Sequence, residues 1–176
     1  MPGFLAGSRS VLAGIGRVER WVAVVMLATM VACIFAQVVS RYLFGLPLVW
    51  VEELSTYAFL WGTFIGASAG LKQGRHIRIL SFLRLLRPAT QLVFRGVTDL
   101  LIGVFCVLLV VNGFQAMMVF EWRQRTIALP VELPRYLFYS TPLILGAASM
   151  VLTVAHDLLE IVAGRRRGPA PATLPL

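Results

Sequence analysis

Residues 41–79 read RYLFGLPLVWVEELSTYAFLWGTFIGASAGLKQGRHIRI. The apolar run 54–71 inside this stretch carries no charged residue and, at 1.5 Å per residue, spans about 27 Å as a helix, close to the ~30 Å hydrocarbon core of a bilayer. A carboxylate pair, Glu52–Glu53, precedes it, and a basic exit with Lys72, Arg75, His76 and Arg78 follows it. Between them Ala58, Gly62, Gly66 and Gly70 recur every four residues and fall on one helix face, a flat stripe that lets another helix approach closely. This is a helix that crosses a membrane, packs through its glycines and carries charge at both ends.

Working outward, uncharged cores of 18 to 21 residues recur at 21–40, 100–120 and 136–155. The chain has 176 residues, 59% of them hydrophobic and 14% charged, too apolar for a soluble domain of this size. Backbone polar groups in lipid must be satisfied within the segment, so each run is expected to be a helix. The expected architecture is an all-α membrane protein with four transmembrane helices at about 21–40, 54–71, 97–120 and 136–155, joined by short interfacial amphipathic segments. It forms one domain over 1–165, with a flexible C-terminal tail at 166–176. Lys and Arg are unevenly spread: twelve lie in the N-terminal tail, the second connection and the C-terminal tail, and four in the first and third connections. The positive-inside rule then places both termini in the cytoplasm. The formal charge of +8 is distributed between apolar runs rather than in a patch interleaved with exposed aromatics, so a membrane rather than a nucleic acid takes it.

Residues 1–20 show no clear cleavable signal. Phe4, Val11, Ile15 and Val18 fall on one side of a helical wheel, with Arg9, Arg17 and Arg20 on the other. That pattern suits an amphipathic helix on the inner surface, whereas Gly3, Gly7, Gly14 and Gly16 suit a frayed tail. Gln37 is expected to point into the bundle, as are Asn112 and Gln115. Arg41 and Trp50 mark the outer interface, and Gly45 and Pro47 end one helix and open the next. Two readings stand for Glu52 and Glu53: contact with a partner or coupling cation, or stabilisation of a helix N-terminus with pairing to Arg41. Trp61 and Tyr57 read as core filling. Residues 77–86 are expected to lie along the inner surface, with Pro88 starting the next helix. Arg95 and Asp99, one turn apart, are expected to neutralise each other.

Catalytic and cofactor signatures do not emerge. A phosphate-binding loop is absent, neither histidine belongs to a nucleophile set, and no Cys/His spacing suits zinc. Cys33 and Cys106 sit inside apolar runs and read as inert thiols. A self-sufficient carrier usually builds its binding site from broken helices near the midplane, which these unbroken runs do not supply.

The stretch 41–79 resembles the signature of the small membrane subunit of tripartite ATP-independent periplasmic (TRAP) transporters, the DctQ type. Arg41, Tyr42, Trp50, Glu52, Glu53, Leu54, Trp61, Gly66, Gly74, His76 and Ile77 occupy the matching places. The resemblance implies a multi-pass protein of the bacterial inner membrane, paired stably with a large permease subunit. It also implies transient contact with a periplasmic substrate-binding protein, and sodium-driven uptake of an organic acid. The small subunit is then a fixed scaffold, with membrane lipids as its other surroundings and no nucleic acid, cofactor or metal. Residues expected at partner contacts are Arg41, Trp50, Glu52, Glu53, Trp61, Gly62, Gly66, Gly70, Arg75 and His76. Two other classes remain open: a haem-bearing anchor of a redox enzyme, which needs facing histidines within the membrane, and a small exporter acting alone.

Overall fold

The structure is a computed structural model that describes residues 2–73 and 88–162. Four long helices account for most of them: α1 (Pro2–Leu43), α2 (Val49–Lys72), α3 (Pro88–Ala116) and α4 (Ser140–Val162). A wide π-type turn, Met117–Glu121, extends α3, and a tight 3-10 turn, Arg135–Leu137, leads into α4. No strand occurs among the described residues beyond one isolated bridge between Arg125 and Pro134. Arg75, His76, the 77–86 surface segment and the 166–176 tail lie outside the described residues, as do the side chains of Phe4, Arg9 and Arg95.

Among the described residues, three segments are long and apolar enough to cross a membrane: Ser10–Leu43, Gly96–Glu121 and Arg135–Val162. The 24-residue α2 is long enough as well, but Ser, Thr, Gly and the polar-tipped Tyr57 and Trp61 dilute its hydropathy. Its place in the fold accounts for that composition, because α2 packs between α1 and α4 and shows less of itself to the surroundings. In space the order is α1, α2, α4, α3, a row in which the first and third helices of the chain form the flanks.

The first helix corrects the reading of the N-terminal segment. Helix α1 runs for 42 residues without a break at position 20, about 63 Å and twice a hydrocarbon core. Val11, Ile15 and Val18 are 61%, 37% and 64% exposed, while Gly16 and Glu19 face the bundle. A bilayer reverses the usual amphipathic rule, since apolar side chains can face outward into lipid while polar groups seek partners inside.

The corner from α1 to α2 follows from local chemistry. Gly45 takes φ +66°, the left-handed region open to a residue without Cβ. The amides of Phe44 and Leu46 both donate to the Ser40 carbonyl at 3.2 Å, and the Ser40 hydroxyl returns a bond to the Leu46 carbonyl at 2.6 Å. Gln37 turns inward as expected and braces the corner, where its Oε1 accepts the Leu48 amide at 3.1 Å just ahead of α2.

Small residues set the helix spacing. A Cβ on Gly62 would meet the Leu27 side chain at 3.0 Å and one on Gly66 would meet the Ala23 Cβ at 3.4 Å, so the stripe on α2 receives α1. Gly70 faces open space. The tighter approach is on the other side of α2, where a Cβ on Gly146 of α4 would lie 2.7 Å from the Phe64 carbonyl oxygen.

Candidate functional site

At the end of the row that carries the corner and the 121–139 connection, the two carboxylates divide. Glu53 turns toward the connection and accepts the backbone amides of Ile127, Ala128 and Leu129 at 3.1, 2.6 and 2.9 Å, together with the Tyr57 hydroxyl. Burial pushes its carboxyl up, but the Tyr57 hydroxyl and the three amides outweigh that and hold it below the ordinary carboxylate value. Glu52 is exposed. Among the described residues neither carboxylate pairs with Arg41, because the corner carries Arg41 away on the exposed side of α1.

The connection itself is ordered by a second carboxylate. Glu121 Oε2 accepts the Ser140 hydroxyl at 2.6 Å and the Ser140 amide at 3.3 Å, placing negative charge at the N-terminus of α4. Arg135 donates to Gln124 Oε1 at 2.9 Å, and Trp122 stacks on Tyr136 at 5.3 Å. Tyr57, 2% exposed, stacks on Phe138 at 4.1 Å and meets Tyr139 edge-on. Trp61 does more than fill the core, since its Nε1–H donates to the Leu137 carbonyl at 3.2 Å. Trp50 is exposed, as a belt residue would be.

The opposite end holds a polar cluster that spacing along the chain does not reveal. Lys72 Nζ lies 2.7 and 2.6 Å from the two Glu19 oxygens, 3.0 Å from Ser68 Oγ and 2.5 Å from Ser149 Oγ. Both serines donate in turn to Glu19 Oε1, at 3.1 and 2.6 Å. The cluster links α1, α2 and α4, and Ser68 is wholly buried. A buried ion pair of this kind is stabilising only while complete, because removing one partner strands the other charge. Sequence reasoning passed over Glu19, Ser68 and Ser149. One signal was present: Glu19 is the sole acid before Glu52, and Lys72 is the sole lysine of the chain.

The expected inward amides of α3 take another course. Asn112 is exposed and its Nδ2 donates to the Leu108 carbonyl of its own helix at 2.7 Å, and Gln115 is exposed too. They share the outer side of α3 with Val104, Phe105, Leu108 and Val111, each about half exposed. Asp99 is buried, and its expected pairing with Arg95 lies outside the described side chains. The structure therefore brings Glu53, Trp61, Gly62 and Gly66 into internal contacts, and leaves Arg41, Trp50 and Glu52 on the surface.

Comparison with known proteins follows the same line. A family model described as "Tripartite ATP-independent periplasmic transporters, DctQ component" matches residues 30–164. The chain is 27% identical over 136 residues to a TRAP transporter small permease protein of Haemophilus influenzae, covering 77% of this chain and 83% of that one. It is 26% identical over 98 residues to the sialic acid TRAP transporter permease protein SiaT of the same species, covering 56% of this chain and 16% of SiaT. It is 32% identical over 62 residues to the C4-dicarboxylate TRAP transporter small permease protein DctQ of Vibrio cholerae, covering 35% of this chain and 27% of that one.

Proposed function

Because this chain belongs to the DctQ component family of tripartite ATP-independent periplasmic transporters, a multi-pass component of the bacterial inner membrane and not an enzyme family, we propose that it works as the stationary brace of the transporter. In this reading α1 to α4 all cross the membrane, both termini are cytoplasmic, and the end formed by the 44–48 corner and the 121–139 connection faces the periplasm. A larger permease subunit, with which the family implies association, moves the substrate. This chain holds that subunit in position and offers the periplasmic end to a binding protein.

The observation that carries the proposal is the outer side of α3. Amide side chains are rare against lipid, and Asn112 and Gln115 stand exposed there among large apolar residues. A protein partner covering α3 would shield them from lipid, which makes that flank the face for the larger subunit. The similarity to SiaT agrees: a stretch like this chain accounts for 16% of that much longer permease protein. The relatives' names include a sialic acid and a C4-dicarboxylate transporter, so an organic acid taken up with sodium is the substrate class proposed here.

The test is co-purification of the larger permease with this chain, followed by sodium-dependent uptake in vesicles with the binding protein added. Replacing Phe105 by Arg on the outer side of α3 should abolish co-purification while leaving this chain folded. Uptake by vesicles holding this chain alone would overturn the proposal.

A further inference from the structure

Beyond the lysine cluster, at the same end of the row, a cavity of about 260 Å³ opens between the helices. Its walls include Leu12 and Ala13 of α1, Lys72 of α2, and His156, Asp157 and Glu160 of α4. One ligand atom from each of these last three lies within 4.8 Å of the other two. His156 Nε2 is 3.6 Å from Glu160 Oε1, and Nδ1 is 3.9 Å from Asp157 Oδ1. The His156 side chain is 9% exposed, and among the described residues its Nε2 has no hydrogen-bond partner. A polar ring nitrogen buried in that way needs an explanation.

We propose that His156, Asp157 and Glu160 form a binding site for a divalent transition-metal cation of the zinc class. The i, i+4 spacing of His156 and Glu160 puts both on one face of α4. Two ligands of a tetrahedral zinc ion stand about 3.3 Å apart, since each bond is about 2.0–2.1 Å long. The 3.6 Å between Nε2 and Oε1 needs little adjustment to reach that, whereas Asp157, 3.9 Å from the other ring nitrogen, would have to change rotamer to join an ion held on Nε2. A carboxylate has about four acceptor directions, so other contacts of Asp157 and Glu160 leave room for an ion. The Lys72 ammonium at the cavity wall is met by Glu19. The imidazole nitrogen selects zinc, cobalt or nickel over magnesium and calcium, and the cavity admits water to complete the coordination. This departs from the expectation that the chain has no metal-ligating set, and it stands independently of the bracing role.

The experiment uses the full chain, purified without a histidine tag, in lipid nanodiscs after metal removal. Titration with zinc chloride is followed by calorimetry, with magnesium chloride as control, and cobalt chloride gives the visible spectrum of the bound ion. The expected result is one saturable equivalent of zinc, unaffected by magnesium, and weakened at least tenfold in both His156→Gln and Asp157→Asn. Should His156→Gln fail to fold, the more exposed Asp157→Asn decides the matter alone. Unchanged zinc affinity in the folded variants, or no saturable zinc binding by the parent chain, overturns the proposal.

Discussion

Glu19 and Lys72 show what one buried pair decides. With Glu19 replaced by Gln, or Lys72 by Met, the remaining charge is stranded among apolar walls and two serines. A loss of about 3–5 kcal/mol is expected, read as a lowered midpoint of thermal unfolding in detergent. Replacing both by Met should recover most of the loss, because buried pairs contribute little beyond well-packed apolar groups. Glu53 makes a different prediction. Its carboxyl sits below the ordinary value, so its contribution is fully present at neutral pH and is lost as the pH falls through the folded value. Amide exchange at 127–129, corrected for intrinsic rates, should lose protection toward acid in the parent chain. It should be poorly protected at every pH in Glu53→Ala, and Glu52→Gln should behave as the parent does. These two acids looked alike in sequence. What separates them is a connection more than seventy residues away, whose amides converge on one of them.

Helices were the legible part of the chain, and their boundaries follow local rules. Pro88 is the first described residue of α3, and the Gly45–Pro47 break falls where α1 gives way to α2. The fourth helix starts later than its apolar run suggests. Pro134 and the 3-10 turn take up residues 134–137, and Glu121 anchors the true first residue, Ser140. The N-terminal segment left a surface helix and a frayed tail open, and α1 instead runs through it without a break. Glycine faces were visible as a stripe, but not their partners. A methyl added at Gly146 meets the fixed Phe64 carbonyl, so Gly146→Ala should lower stability by roughly 1–3 kcal/mol. Gly70→Ala meets nothing and should be neutral or stabilising by up to about 1 kcal/mol through helix propensity. Gly66→Leu would force α1 away from α2, and loss of the Glu19–Lys72 bond is its expected companion. Thermal unfolding of the three variants side by side gives the order.

At the scale of the whole molecule, the row of helices determines which surfaces remain for others. The inner pair, α2 and α4, spends its small and polar residues on internal contacts, while α1 and α3 turn apolar faces outward. No periodicity in the sequence states that order, because it is set by which small residues meet across helices. If both termini are cytoplasmic, as proposed, a single cysteine placed at position 46, in a chain with Cys33 and Cys106 replaced by Ala, should react with an impermeant thiol reagent added outside the cell. A cysteine at position 8 should react only after the membrane is opened; the reverse pattern would invert the assignment.

Gly146 has one more bearing on how such an assembly moves. If α4 slid along α2 by one helical turn, Met150 or Pro142 would arrive where Gly146 now lies against the Phe64 carbonyl, and neither fits. The two helices are thus keyed at a single height, like a bolt in its slot. Any partner seated against the pair would meet two helices held in one register.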